Sequence, residues 1–210
     1  MEISNWLIYA TVALASIVSP GPASLLAISN SVTLGCKKVV FSSFGNITGL
    51  FVVSSFTMAG LGTLLKTSPL LFFILKLIGA GYLILLGIRQ WKPNTNIFVQ
   101  TSVPLVRASR NKKLFIQGFT LAVTNPKGIL FFTAVFPQFL NSENSLALQF
   151  SILTGTFMVI SFCSLMCYAF LARSTSNWFS IGRRVNWFNR LSGGIFILLG
   201  LGVGLLSLKA

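Results

Sequence analysis

One polar interruption in an apolar stretch is the strongest candidate for chemistry in this sequence. Residues 114–140 form a run long enough to cross a bilayer, yet Asn125, Pro126 and Lys127 lie near its middle. Proline removes a backbone donor and breaks the helix, and an ionisable side chain at membrane depth is usually functional. Backbone groups freed by such a break are tolerated in hydrocarbon only where protein or an enclosed cavity satisfies them. The interruption therefore predicts a substrate site; the alternative is a proline kink whose lysine extends to the interface.

A second interruption lies near the end of the first apolar stretch. Two prolines surround a glycine in Ser19-Pro20-Gly21-Pro22, and this pattern predicts unwound backbone. Half-helices that begin after Pro22 and Pro126 would present free N–H groups and the positive end of the helix dipole, which favour a carboxylate. Lys127 adds a full charge, while freed carbonyls and polar side chains can accept from an ammonium group. The predicted site fits a zwitterionic amino acid and consists of Ser19, Pro20, Gly21, Pro22, Ser24, Thr124, Asn125, Pro126 and Lys127.

Groups that serve enzymatic or metal chemistry are scarce. The chain has no His, and its two acids, Glu2 and Glu143, lie outside the apolar stretches. Cys163 and Cys167 share a helical face but have no His or acid nearby, so they predict buried apolar residues and not a metal site. We therefore expect no catalytic residues, no metal and no cofactor.

The composition places the chain in a membrane. Of its 210 residues, 54% are hydrophobic and 9% are charged, with a mean hydropathy of +0.83, which lies outside the soluble globular range. The net charge of +14 does not indicate a nucleic-acid partner, because Lys and Arg flank the apolar stretches instead of forming a stripe on a soluble domain. We expect an all-α protein embedded in the lipid bilayer.

The cationic residues predict the topology. Lys and Arg number 12 in the first, third and fifth connections between apolar stretches, against two on the opposite side. By the positive-inside rule, those three connections are cytoplasmic and both termini lie outside. The stretches long and apolar enough to span are six: about 3–29, 39–65, 69–88, 114–140, 146–172 and 191–208.

The two halves of the chain resemble each other. Residues 48–56 align with residues 154–162 at a shift of 106, with six of nine positions identical. The same shift places Pro20 on Pro126. Because each half holds three spans, the two copies would have opposite orientations in the membrane. Paired proline interruptions at corresponding positions of two such halves are typical of a transporter binding site.

We therefore expect one transmembrane transporter domain over residues 1–210, built as two inverted three-helix repeats with broken helices 1 and 4. The repeats cover about 1–90 and 114–210, and residues 91–113 form a cytoplasmic linker. Gly45, Gly49, Gly79 and Gly87 have helical spacing that permits close helix contact and predict packing positions. The sequence leaves the oligomeric state open, and a homodimer is compatible with it.

An ordered set of motifs carries a family resemblance. The motifs are Pro20-Gly21-Pro22, Gly45-x-x-x-Gly49, Gly79-Ala80-x-Tyr82-Leu83, Phe115-x-x-Gly118-Phe119, Asn125-Pro126-Lys127 and Phe136-Pro137-Gln138-Phe139. With them, the chain resembles the LysE/RhtB family of amino-acid exporters over nearly its whole length. The resemblance implies a carrier of the bacterial inner membrane that exports amino acids such as leucine, threonine, homoserine or lysine by exchange with protons. Where members similar to the homoserine and threonine exporters usually have Asp or Asn after the first motif, this chain has Ala23.

The absence of an acid from every apolar stretch favours neutral amino acids over a cationic substrate. It also leaves Lys127 as the candidate for any coupling to protons, since such coupling normally needs an ionisable group in the pathway. An exporter of another small solute or of a metal ion, and a passive channel, are the alternatives. A metal exporter should have clusters of His, Cys or acids in its spans, and counterflow in vesicles distinguishes a carrier from a channel.

Overall fold

The chain folds into helices. The computed structural model describes residues 2–19, 21–67, 69–91, 111–141 and 144–174, together with 190, 193–194, 197–198 and 200–202. Pro20, most of the linker and most of the sixth predicted span lie outside the described residues. Within the described ranges no strand is formed, and the α-helices are α1 (Ile3–Val18), α2 (Pro22–Leu34), α3 (Cys36–Thr67), α4 (Pro69–Trp91), α5 (Asn111–Thr124), α6 (Pro126–Leu130) and α7 (Leu146–Ser174).

Among the residues that the structure describes, two helices are long and apolar enough to cross a membrane by themselves, through the stretches Cys36–Gly60 and Leu146–Ala172. Two further spans arise if each bent pair counts as one: α1 and α2 meet at 55°, and α5 meets the segment Pro126–Phe139 at 50°. The protein is therefore an all-α membrane protein, as its composition predicted. Both bends fall at the predicted interruptions.

The end of the second bent pair is not regular α-helix. After α6, the chain forms a π-helical turn over Phe131–Val135 and a 3₁₀ turn over Phe136–Phe139. Pro137 explains the change, because a proline has no N–H to donate and its ring clashes with the carbonyl four residues back. The wider turn is visible where the Phe136 N–H reaches the Phe131 carbonyl, five residues earlier. The sequence predicts a single half-helix here, and in this respect the structure differs from the prediction.

Glycines bring α3 and α5 into backbone contact. A Cβ on Gly45 would overlap the Phe115 carbonyl, and a Cβ on Gly118 would overlap a carbonyl of α3. Farther along both helices, a Cβ on Gly49 would lie 2.7 Å from that of Ala122, so the two helices run parallel. The packing roles predicted for Gly45 and Gly49 are confirmed.

Glycines also mediate the contacts of α4. A Cβ on Gly79 would overlap the Ala134 carbonyl in the π-helical turn, and one on Gly87 would lie 2.5 Å from the Gly193 carbonyl. Both positions are buried, so only a hydrogen side chain fits between the helices. The predicted packing roles of Gly79 and Gly87 are confirmed as well.

The two helices that carry the matched segments, α3 and α7, run in opposite directions. The ring of Phe44 lies 5.1 Å from that of Phe162, and the ring of Phe51, farther along α3, lies 6.2 Å from that of Phe150, earlier in α7. By contrast, α1 and α7 run parallel: Trp6 Nε1 donates to Thr156 Oγ1 at 3.0 Å, and farther along both helices the Tyr168 hydroxyl donates to the Val18 carbonyl. In a chain whose successive spans cross the membrane in alternating directions, the second and fifth spans are antiparallel and the first and fifth are parallel. The helices α3, α1 and α7 have these directions.

The largest buried side chains form what we call the aromatic cluster. Its rings make edge-to-face and tilted contacts, for example 5.2 Å between Tyr9 and Phe139 and 4.6 Å between Phe131 and Phe157. All four rings are at most 6% exposed. The full cluster consists of Tyr9, Phe131, Phe132, Phe136, Phe139 and Phe157.

A smaller apolar cluster lies farther along α7. It joins Ala27 of α2 and Val39 of α3 to Leu165 and Ala169 of α7, and we call it the small-residue cluster. Phe157 of α7 belongs to the aromatic cluster and Leu165 to the small-residue cluster, so the stretch of α7 between these two residues lies between the two apolar clusters. This stretch borders the candidate site.

Candidate functional site

A cavity of about 60 Å³ lies where the two helix breaks meet α3 and α7. Space of this size holds a few water molecules. Of the nine predicted site residues, five line it: Ser19, Gly21, Ser24, Asn125 and Lys127. The structure therefore brings the two interruptions, which are about a hundred residues apart in the chain, to one place.

Lys127 links the two breaks directly. Its Nζ donates a hydrogen bond of 2.8 Å to the backbone carbonyl of Ser19. Ser19 is the last residue before the first break and is 9% exposed. The carbonyl at the end of α1 carries the negative end of the helix dipole, so it stabilises an ammonium group without any carboxylate. This contact accounts for a lysine at the centre of an apolar stretch in a chain whose spans hold no acid.

Asn125 stabilises the start of the second half-helix. Its Oδ1 accepts from the backbone N–H of Lys127 at 3.1 Å, as in a helix amino-terminal cap. Its own N–H donates to the Ala122 carbonyl at 3.3 Å, so the break leaves this carbonyl paired. The cap fixes the direction of α6 and with it the position of the Lys127 side chain.

Ser24 performs the equivalent task at the first break. Its Oγ accepts from the Gly21 N–H and donates to the Gly21 carbonyl, both at 2.8 Å. Gly21 has an extended backbone that any residue can adopt, and a Cβ there would lie 3.9 Å from Lys127 Nζ, an ordinary contact. Ser24 therefore shapes the cavity through the backbone of Gly21, with its hydroxyl hydrogen already used.

Of the four remaining predicted site residues, the three that the structure describes are not among the residues that line the cavity. Pro22 and Pro126 are the first residues of α2 and α6, where their missing N–H and fixed φ suit a helix start. Thr124 is exposed, and its Oγ1 donates to the Thr120 carbonyl at 2.8 Å within its own helix. The structure does not bring the Thr124 hydroxyl to the cavity. Pro20 lies outside the described residues.

Sequence reasoning missed two polar residues that line the cavity from α3 and α7. Asn46 Nδ2 donates to Ser161 Oγ at 3.1 Å, and each residue is 5% exposed. A signal was available, because Ser161 lies inside the matched segment 154–162 and Asn46 lies two residues before its partner segment. Polar side chains inside membrane-length stretches are usually functional or form interhelical bonds.

A second, smaller cavity of about 10 Å³ adjoins the first through shared lining residues, among them Asn46. Ser42 and Ser43 line it, and Ser43 Oγ is buried without a hydrogen-bond partner in the described part of the chain. A volume of this size is at the lower limit for one water molecule. The polar lining thus continues from the main cavity along α3.

The charge of the main cavity comes from one described side chain. Lys127 is the one charged side chain among the described residues that line it, and seven of its 14 lining residues are polar or charged. No group of three or more His, Cys, Asp or Glu lies together in the part of the chain that the structure describes. Cys163 and Cys167 are exposed on α7, so the prediction that they are buried was wrong. The arrangement is suited to binding a small polar solute with an anionic group.

Comparison with known proteins adds the family. The model of the LysE type translocator family matches residues 14–207. The chain belongs to this family. The resemblance inferred from the ordered motifs is therefore confirmed, and the protein is a LysE-type membrane translocator and not an enzyme.

The LysE-type chain is also similar to individual proteins along its whole length. It is 33% identical to a homoserine/homoserine lactone efflux protein of Salmonella typhimurium over 95% of this chain and 96% of the relative. A homoserine/homoserine lactone efflux protein of Salmonella typhi is 32% identical over the same shares. An uncharacterized membrane protein of Vibrio cholerae is 30% identical over all of both chains. No solved structure matches.

Proposed function

We propose that this LysE-type translocator is a secondary transporter that exports neutral amino acids across the bacterial inner membrane by alternating access. The observation that carries the proposal is the bond between Lys127 Nζ and the Ser19 carbonyl, 2.8 Å long, at the meeting point of two broken helices. It places a cation and a carbonyl acceptor side by side in one cavity. These are the two groups that a zwitterionic amino acid needs.

Substrate binding follows from this pair. The carboxylate of an amino acid pairs with the Lys127 ammonium in a charge-assisted hydrogen bond. The α-ammonium of the substrate takes the position at the Ser19 carbonyl that the Lys127 ammonium holds in the structure. The lysine therefore occupies the ammonium subsite until a substrate displaces it, which keeps both groups paired throughout.

Neutral substrates are favoured by the charge of the lining. A cationic side chain would need a carboxylate partner at membrane depth, and no acid is present among the described lining residues. The two Salmonella relatives are named for efflux of homoserine and homoserine lactone, and homoserine is a neutral amino acid. Homoserine therefore belongs to the substrate class that the charge of the lining favours.

Alternating access is supported by the arrangement of the helices. The opposite directions of α3 and α7 and the paired bends of 55° and 50° are what two inverted repeats require. With six spans and both termini outside, α7 enters from the outer side, so the aromatic cluster closes the cavity toward the outside. The small-residue cluster then closes it toward the cytoplasm, and export opens the two seals in turn.

Coupling to protons belongs to the same proposal. Lys127 is the ionisable side chain among the described residues of the cavity, so it is the group that would exchange a proton during the cycle. Efflux measured with and without an uncoupler in Lys127→Ala and Lys127→Arg tests this role. Unaltered, uncoupler-sensitive efflux in both variants would exclude Lys127 as the proton carrier.

The transport activity is tested in two steps. Cells that overproduce the protein should accumulate one or more neutral amino acids in the medium, relative to cells with an empty vector. Purified protein in liposomes should then show counterflow of the same amino acid, because a carrier exchanges solute and a passive channel does not. No change in any amino acid in the first step, or efflux without counterflow in the second, would reject the proposal.

A further inference from the structure

The part of the cavity lining that α3 and α7 supply differs from the part around the two helix breaks. It consists of one hydrogen-bonded polar pair, Asn46 and Ser161, and of the apolar side chains of Leu50, Phe157 and Leu165. The polar pair lies within the membrane-length stretches Cys36–Gly60 and Leu146–Ala172. A substrate whose charged end sits at Lys127 would place its side chain in this region.

The pair has hydrogen-bonding capacity left over. In the described ranges, the bond of 3.1 Å between Asn46 Nδ2 and Ser161 Oγ is the one hydrogen bond that either side chain makes. An asparagine has a second N–H and a carbonyl oxygen, and the serine hydroxyl keeps its hydrogen. Buried polar groups are nearly always paired, so this remaining capacity indicates a partner inside the cavity.

We propose that the Asn46–Ser161 pair binds the side-chain hydroxyl of a small uncharged amino acid and makes the carrier selective for it over an apolar analogue of equal size. The inference rests on the proposed function, because it takes the carboxylate and ammonium of the substrate to occupy Lys127 and the Ser19 carbonyl. A hydroxyl both donates and accepts, which suits a pair that offers both kinds of group. Leu50, Phe157 and Leu165 contact the methylene groups and leave no partner for a charged side chain.

A purely structural role for the pair makes a different prediction. If the bond only joined α3 to α7, its loss would weaken transport of every amino acid to the same extent. A recognition role changes the ratio between a hydroxylated substrate and its apolar analogue, because the analogue leaves the pair unpaired. The ratio is therefore the quantity to measure.

The experiment uses full-length protein in liposomes and two matched pairs of amino acids. Homoserine is compared with norvaline, and threonine with valine, since each pair differs by a hydroxyl in place of a methyl group. We expect the intact carrier to favour the hydroxylated member of at least one pair by about 10-fold in kcat/KM, the effect of one unmade hydrogen bond. In Asn46→Leu/Ser161→Ala, that preference should fall to about 2-fold or less, because the hydroxyl loses its partners whereas the methyl group of the analogue had none to lose.

Ser54→Ala is the matched control. Ser54 is a fully buried serine of α3, and its Oγ donates to the Phe51 carbonyl of its own helix at 2.9 Å without lining either cavity. This variant should keep the preference of the intact carrier. An intact carrier that transports both members of each pair equally, or a double variant that loses both members equally, would overturn the inference and leave the proposed function standing. Failure of the intact carrier to transport any of the four amino acids would instead reject the proposed function.

Discussion

Replacement of Lys127 by methionine tests the role of the cavity's cation. Methionine retains a flexible, unbranched side chain but removes the charge and the donor that bonds to the Ser19 carbonyl at 2.8 Å. We expect the variant to fold and to bind amino acids poorly, because the substrate carboxylate loses its partner. Homoserine lactone, whose carboxylate is closed into a ring ester, should be affected much less.

The expected magnitude follows from the two bonds that change. A hydrogen bond to a charged group contributes about 1.5–3 kcal/mol, so the KM for homoserine should rise by about 10- to 150-fold. The Ser19 carbonyl loses its partner, but it borders the cavity, where a water molecule can replace the ammonium. We therefore expect a loss of stability of about 1 kcal/mol, the lower end of the range for an unpaired buried group.

The assay is counterflow of homoserine and of homoserine lactone in liposomes, with thermal unfolding in detergent as the check on folding. Lys113→Met is the control, since Lys113 is an exposed lysine in the first turn of α5. It should leave both KM values and the unfolding temperature unchanged. A Lys127→Met carrier whose KM for homoserine stays within about 2-fold of the intact carrier would refute the assignment of Lys127 to the substrate carboxylate.

Three further predictions concern single positions. Gly118→Ala should lower the unfolding temperature in detergent strongly, because a Cβ at this position would overlap a carbonyl of α3. Gly155→Ala is the control and should leave the unfolding temperature unchanged, because the space around its Cβ is open. Tyr9→Phe should leave stability within about 0.5 kcal/mol, since the buried Tyr9 hydroxyl has no hydrogen-bond partner in the described part of the chain; a larger loss in denaturant unfolding would contradict this. Thr124→Ala should transport normally in the counterflow assay, because the Thr124 hydroxyl bonds within its own helix. Asn125→Ala should remove the cap of α6, which contributes about 1 kcal/mol, and should raise the KM by several-fold in the same assay.

Much of the fold was predictable because its signals are local. The apolar stretches placed the helices to within a few residues, and the prolines at 22 and 126 placed both helix starts. Gly45 and Gly49 were recognisable as packing positions from their spacing alone. The π-helical turn at Phe131–Val135 was not, because a proline signals that a helix must change but not how the preceding turn will adjust.

The candidate site was predictable only in part. The breaks were visible as residue types, whereas Asn46 and Ser161 are ordinary polar residues whose importance comes from contact across 115 positions of the chain. Thr124 shows the opposite error: it is next to the break, but a threonine hydroxyl on a helix often bonds to a carbonyl one turn back, as it does here. Proximity in sequence to a break therefore does not decide whether a side chain enters the cavity; the direction of the helix face does.

The partner of Lys127 could not be read from residue types at all. The apolar stretches contain no acid, and this absence predicts an unpaired cation that is free to bind a substrate. In the structure the lysine is bonded to the backbone carbonyl of Ser19, which becomes available only because α1 ends at the preceding residue, Val18. The first helix break thus supplies the carbonyl group that accepts a hydrogen bond from Lys127, which lies beside the second break. A variant in which residues 19–21 continue the helix should lack this acceptor. Its counterflow of amino acid in liposomes should be slower than that of the intact carrier, even though Lys127 is unchanged.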